Sequence, residues 1–286
     1  MSYFLLAIAV LSWGVSWFAI TLQVAHAPAM VSIAYRFALA SLVLVAYLAL
    51  TGRLKPIPLR DHGALAGLGA CLFSLNFYCY YLAADSLTSG LMSVIFATAA
   101  IIGALNQKLF WGVPLDRRVM AAAAIGVVGL MLLIGPEVRM DVTALGAVGL
   151  CVLGTYFFSL GNLISSRLGQ RHALPNMAGQ GMVYGALIAI VVSWLTGEAF
   201  VLPKAPEFWG SLLFLALIST VVAFLAYLNL IRREGPVRAS YATVLFPIIA
   251  MAVSSLWEGY VWSVSSGIGL ALTLVGTVIV FSRRAG

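Results

Sequence analysis

The stretch SGLMSVIFATAAII, Ser89 to Ile102, returns in altered letters as ASYATVLFPIIAMA, Ala239 to Ala252. At a constant offset Ser93 stands over Thr243, Val94 over Val244, Ile95 over Leu245 and Phe96 over Phe246. The match extends both ways: Tyr81-Leu82 precedes the first copy as Tyr227-Leu228 precedes the second, and Val128-Gly129 follows as Val275-Gly276 does. Preserved order marks an internal repeat; the competing explanation is a membrane alphabet so poor in residue types that it imitates one.

Composition identifies the solvent. Hydrophobic residues make up 63% of the 286-residue chain and charged ones 9%, against about 45 to 50% apolar in a soluble domain. Such a chain is an integral membrane protein. Apolar stretches long enough to cross about 30 Å of hydrocarbon as helices are expected at Tyr3 to Ala25, Val31 to Thr51, Gly63 to Ala84, Leu87 to Gln107, Val119 to Ile134, Thr143 to Ile164, Asn176 to Thr196, Phe208 to Leu230, Ala239 to Trp257 and Val264 to Ser282. Helices are required because backbone amides in lipid must bond within their own segment, and the alternating pattern of barrel strands is missing. The first stretch lacks a basic lead and a small-residue cleavage site, so it reads as a retained helix.

The net charge of +7 marks sidedness. With the N-terminus inside, the inner loops carry Arg53, Lys55, Arg60, Lys108, Arg117, Arg118, Arg167, Arg171, Arg232, Arg233, Arg238, Arg283 and Arg284. Of the 16 basic residues only Arg139 and Lys204 then fall outside, and Arg36 lies within a span. That asymmetry predicts both termini in the cytoplasm. The acids Asp85, Glu137, Asp141, Glu198, Glu207 and Glu258 fall on the outer side. Five helices per copy is an odd number, so residues 1–141 and 142–286 are expected to cross the membrane in opposite senses. Such all-α inverted repeats are the plan of many secondary transporters, which rock one half against the other around a midplane site.

Several segments carry a resemblance: LSWGVSWF in the first helix (Leu11 to Phe18), AYRFALAS with Arg36 in the second, SLTSGLMSVIF entering the fourth and SLWEGYVWS leaving the ninth. In their joint order the chain resembles, over nearly its whole length, the drug/metabolite transporter superfamily in its form with ten helices and two EamA-type repeats. Within it the chain looks most like the YddG-type bacterial aromatic amino-acid exporters. The resemblance implies a multi-pass protein of the bacterial inner membrane that exports bulky aromatic amino acids and related compounds. One departure is visible: the family's glutamate ending the fourth helix is replaced in NQKLFWG by Lys108, opposite Glu258.

A site for aromatic zwitterions needs flat apolar surfaces and a few polar partners. Trp13 and Trp17 share a helix face at a depth unsuited to interfacial anchoring, and read either as a cavity wall or as interhelical packing. In NFYCYYLAAD, Asn76 and Tyr80 share one face and Tyr78 and Tyr81 another. Asn76 must find a partner helix or a substrate. Tyr78 or Tyr81 is expected to line the pathway, with cation-π contact to an ammonium as its chemistry, although an outer aromatic belt accounts for two of the tyrosines. Tyr156, Tyr227 and Tyr241 are the second-half candidates. Arg36 sits about 9 Å from the outer end of its helix and either snorkels or binds a carboxylate or structural partner. Pro247 interrupts the ninth helix and frees the carbonyl of Thr243, as a gating hinge or a static bend; its repeat mate is Ala97, so the break is expected in one half only. Gly63/Gly67 and Gly181/Gly185 have the spacing of close helix contacts, and Cys71, Cys79 and Cys151 read as buried packing residues.

No acid lies mid-helix, so transport is expected to be facilitated or only weakly coupled to protons. His26, His62 and His172 join no nucleophile or metal spacing, which argues against the alternative of a polytopic membrane enzyme, and no phosphate-binding glycine loop suggests a nucleotide-driven pump. No cofactor, metal or nucleic acid is expected; the partners are a small-molecule substrate and the bilayer. Export of other metabolites or lipophilic drugs stays open, and a single chain holding both repeats suffices as a monomer.

Overall fold

The computed structural model describes residues 2–115, 117–140, 143–234, 239 and 241–282. Each expected span folds as a helix, because nothing else satisfies its amides in an apolar solvent. In chain order they are α1 (Tyr3–Val24), α2 (Ala29–Leu50), α3 (Leu59–Ala83), α4 (Ser89–Trp111), α5 (Arg117–Met140), α6 (Thr143–Leu168), α7 (Leu174–Leu195), α8 (Pro206–Glu234), α9 (Tyr241–Trp257) and α10 (Val264–Ser282). Helices α3, α5 and α8 outrun the sequence reading, since their ends carry charged residues that a hydropathy boundary excludes yet a helix in the headgroup region accommodates. Arg238, Arg283, Arg284 and Asp141, with the boundary expected between 141 and 142, lie outside the described residues, as do the side chains of Glu137 and Arg139.

Helix contacts come in pairs that exchange the two halves. The packing of α1 on α9 is mirrored by α6 on α4, α1 on α8 by α6 on α3, and α2 on α8 by α7 on α3. The remaining principal contacts, α5 with α10, α2 with α7 and α4 with α9, join a helix to its own image. Glycines set the closest of these. A Cβ on Gly129 would stand 2.6 Å from Thr273 N and 2.7 Å from Gly269 O, and one on Gly276 would stand 2.7 Å from Ala122 O and 3.1 Å from Gly126 N. These are the same contact seen from each side of α5 and α10. Between α3 and α7 the close approach is made by Gly69, whose Cβ would meet Gly181 O and Gly185 N at 2.7 Å. Gly63 faces open space and Gly67 meets only Ile164, so the expected Gly63/Gly67 face is displaced toward the middle of α3.

Two helices change hydrogen-bond register at matching places. Cys71–Leu75 of α3 and Phe214–Val222 of α8 are π-helical. With Tyr81 laid over Tyr227, Cys71 falls on Leu217 and Leu75 on Val221, both inside the α8 segment. Wider turns of this kind release backbone carbonyls and concentrate at functional places. The break expected at Pro247 is not an interruption in the structure, where α9 runs through it as Tyr241–Trp257; α4 is interrupted instead at Thr98, between Ser89–Ala97 and Ala99–Trp111. There Thr98 donates its hydroxyl to Ile95 O at 2.6 Å, and Thr277 of α10 donates to Ala97 O at 3.2 Å. The interruption therefore falls in the first half, one residue past the repeat mate of Pro247, and the expectation of a break at Pro247 is corrected.

Candidate functional site

The halves meet in a buried aromatic cluster. Trp17 of α1 lies 4.9 Å edge-on from Tyr80 of α3, 5.4 Å from Phe96 of α4 and 6.2 Å in a near-parallel stack from Phe246 of α9, centroid to centroid. Phe96 adds Phe158 of α6 at 4.6 Å. Phe96 and Phe246 are repeat mates, Phe96 two residues before the interruption of α4 at Thr98 and Phe246 directly before Pro247 within α9. Tyr80 is anchored to α6 by a hydrogen bond of 2.5 Å with Thr155.

A second centre forms on the π segment of α8. Ser219 O accepts the indole N–H of Trp13 at 3.1 Å, and the Thr220 hydroxyl accepts Nε and Nη2 of Arg36 at 3.3 and 3.2 Å. The guanidinium stands 4.4 Å from the centroid of Phe77 and 5.2 Å from that of Phe37, cation-π contacts that offset part of the penalty for a charge in the span. Beside it Tyr81 donates to Gln23 Oε1 at 2.5 Å. Arg36 Nη1 and Gln23 Nε2, both donors, have no partner and no exposure. Arg36 is 4% exposed, so snorkelling is ruled out.

The seam between α4 and α9 is closed at one end. The first half of α4 packs on α9, and Ser89 N donates to both oxygens of Glu258 at 3.2 and 3.0 Å. Beyond Thr98 the second half of α4 packs on α6, α5 and α10 instead. Gln23, Ser32, Asn76, Ser89 and Ser254 are buried in the half toward Glu258, and Asn106, which donates to Ser159 Oγ at 2.9 Å, is buried in the other; Asn162 is exposed near the C-terminal end of α6.

The candidates therefore separate. Trp17 and Tyr80 meet in the cluster. Trp13 packs at the edge of that cluster, but its ring partner is Tyr227 at 5.0 Å, because α1 is wedged between α9 and α8. Tyr81, expected to line the pathway, is 1% exposed and committed to Gln23, so it and its mate Tyr227 have unlike neighbours. Tyr78 is half-buried, Asn76 is buried with Oδ1 unpartnered, Tyr156 is half-buried beside Phe157, and Tyr241 is exposed at the start of α9. Cys79 and Cys151 are buried as expected, whereas Cys71 is only half-buried. Gln23, Thr220, Phe96, Phe158 and Phe246 went unread as site residues; a polar Gln within an apolar helix was the available signal for the first. Among the described residues no three His, Cys, Asp or Glu side chains gather as a metal site.

Ten apolar helices in two interlocked halves, with a buried aromatic junction between them, suit a multi-pass membrane transporter. The sequence pattern of the EamA-like transporter family matches residues 1–135 and again 145–282. The chain belongs to that family. It is 27% identical over 274 residues to the uncharacterised inner membrane transporter YedA of Escherichia coli K12, covering 94% of this chain and 86% of YedA. It is 23% identical over 295 residues to a probable amino-acid metabolite efflux pump of Salmonella typhimurium, covering 98% and 95%. A solved crystal structure shares the fold with a TM-score of 0.67 at 17% identity, over 99% of this chain and 97% of the other. The protein is a multi-pass component of the bacterial inner membrane.

Proposed function

We propose that this chain exports amino acids, aromatic ones preferred, with related small metabolites, by alternating access between its two five-helix halves, 1–141 and 142–286. The carrying observation is the aromatic junction of Trp17, Tyr80, Phe96 and Phe246, closed toward Glu258 where that carboxylate accepts Ser89 N. Aromatic pairs at such distances favour ring binding by about 0.5–1.5 kcal/mol each, so a substrate ring that inserts among them replaces contacts of equal quality. With the basic loops in the cytoplasm, the junction faces inward here and loads from the cell. The Salmonella relative's name, a probable amino-acid metabolite efflux pump, supports the same substrate class.

Arg36 Nη1 and Gln23 Nε2 supply the matching polar chemistry. Two unpartnered buried donors suit a carboxylate, and they lie on the side of the junction sealed in this conformation, where an outward-facing state receives the substrate. Trp13, Asn76, Tyr78, Tyr81, Tyr156, Tyr227 and Tyr241 then line or brace the two half-pathways, and Pro247 with Thr98 forms the hinge level. Bacteria overproducing the chain should tolerate a toxic aromatic amino-acid analogue such as fluorophenylalanine and accumulate less of it. Unchanged tolerance and unchanged retention in producing cells would remove the substrate assignment.

A further inference from the structure

The loop after α2 reads Thr51-Gly52-Arg53 and the loop after α7 reads Thr196-Gly197-Glu198. The two turns have one geometry: Gly52 and Gly197 adopt left-handed φ of 64° and 72°, while Arg53 N and Glu198 N donate to Leu48 O and Ser193 O, five residues back. Their last residues are opposite in charge. Glu198 reaches the start of α2, where its carboxylate accepts the Met30 N–H at 2.9 Å, as the positive end of a helix favours. At the equivalent place, the start of α7, the chain puts Arg53.

A crevice of about 420 Å³ opens there, between the end of α2, the first turn of α7 and the last turns of α8. Arg53, Arg232 and Asn229 form its polar rim, and Tyr47, Leu225 and Leu228 are among its apolar walls. Among the described lining residues none carries a carboxylate. The rim is held in place: Arg53 O accepts Asn176 Nδ2 at 2.9 Å, Arg232 donates to Asn229 Oδ1 at 3.0 Å, and Asn229 Nδ2 donates to Leu225 O at 2.9 Å. Two guanidiniums and a helix N-terminus thus converge without the anion that the other half builds in. The apolar wall continues onto the exposed face of α2, where Tyr47 and Leu50 are 41% and 88% exposed, so the crevice is open toward hydrocarbon as well as headgroups.

We infer that this crevice binds an anionic phospholipid, its phosphate between Arg53 and Arg232 at the start of α7 and one acyl chain against Tyr47, Leu225 and Leu228. Arginine forks suit a phosphate's oxygens, and basic pockets between helices at the cytoplasmic face recognise anionic headgroups. The inference stands apart from the choice of transported substrate.

The test is thermal unfolding of the purified full chain in detergent, with phosphatidylglycerol, phosphatidylcholine or inorganic phosphate added. Phosphatidylglycerol should raise Tm by about 5 °C at saturation, and the other two by much less. Arg53→Gln with Arg232→Gln should lose that rise. Arg53→Glu, which reverses the charge on this rim, should be unresponsive to phosphatidylglycerol. An equal rise with phosphate would make the crevice a free-anion site, and an equal rise with phosphatidylcholine a nonspecific one; either result overturns the inference. So do the absence of any rise in the parent and full retention of the rise in the variants.

Discussion

Replacing Gly90 by alanine should open the end of the transporter that is closed here. A Cβ at Gly90 would stand 2.7 Å from Met251 Sδ, 2.9 Å from Ser254 Cβ and 3.1 Å from Met251 Cα. Carbon contacts are comfortable at about 3.5–4.0 Å, and although a methionine sulfur can swing aside, Ser254 Cβ and Met251 Cα move only with α9 itself. Overpacking of this size costs about 1–3 kcal/mol. The clash exists only while α4 and α9 are closed at this end, so the penalty falls on that state and shifts the equilibrium toward the opposite one by about 5- to 150-fold. Ala250→Cys is the reporter, since Ala250 on α9 is 0% exposed here; the native cysteines are first replaced. A membrane-impermeant maleimide applied from the Glu258 side should then label the Gly90→Ala background at least about fivefold faster than the parent. Gly267→Ala, at a glycine with nothing within 4 Å, should leave labelling unchanged. A folded Gly90→Ala protein with the parent's labelling rate would refute the reasoning, because the seam would then be static packing.

Glu258→Gln keeps the shape but removes the charge that faces Ser89 N, and the same maleimide assay should report about a two- to fivefold increase, the weight of one exposed helix-terminus charge. Gly129→Ala and Gly276→Ala push a methyl into equivalent backbone atoms of α10 and α5, so each should lower Tm by several degrees and by similar amounts, with Gly149→Ala as the silent control. Trp17→Phe shrinks the ring that packs among Tyr80, Phe96 and Phe246, and should leave the chain folded while raising KM for an aromatic substrate by about two- to tenfold, the value of one weakened aromatic contact. Arg36→Gln should raise KM for phenylalanine and leave transport of phenethylamine, which lacks the carboxylate, nearly unchanged; an equal loss for both would make Arg36 a structural cation.

The architecture was legible because membrane folding leaves strong marks. Hydrophobic length located the spans, and the internal repeat disclosed that α4 and α5 are equivalents of α9 and α10, though not that each packs on its own image. Trp17 was legible too, as an aromatic residue too deep for an interfacial belt, and Tyr80 as sharing a helix face with Asn76. Features carried by the backbone were not. The π segments of α3 and α8 shift hydrogen bonds by one residue without a diagnostic side chain, and the interruption at Thr98 is made by hydroxyl groups of Thr98 and Thr277 that look ordinary in sequence. Long-range caps such as Glu198 on Met30 and Glu258 on Ser89 join residues far apart in the chain, and no local pattern foretells them. The roles of Tyr81 and Tyr227 diverged for a related reason: the two halves share a backbone plan, but each fills it with different neighbours.

The central claim, a carrier for aromatic amino acids, is tested most directly by counterflow. Liposomes containing the purified chain and loaded with unlabelled phenylalanine would be given external labelled phenylalanine, tryptophan or alanine, with and without an imposed pH gradient. The account predicts saturable uptake of the two aromatic substrates well above alanine, little altered by the gradient and reduced by Trp17→Phe. Absence of aromatic counterflow in liposomes that hold the folded protein would contradict it, and strong acceleration by the gradient would contradict the facilitative mechanism.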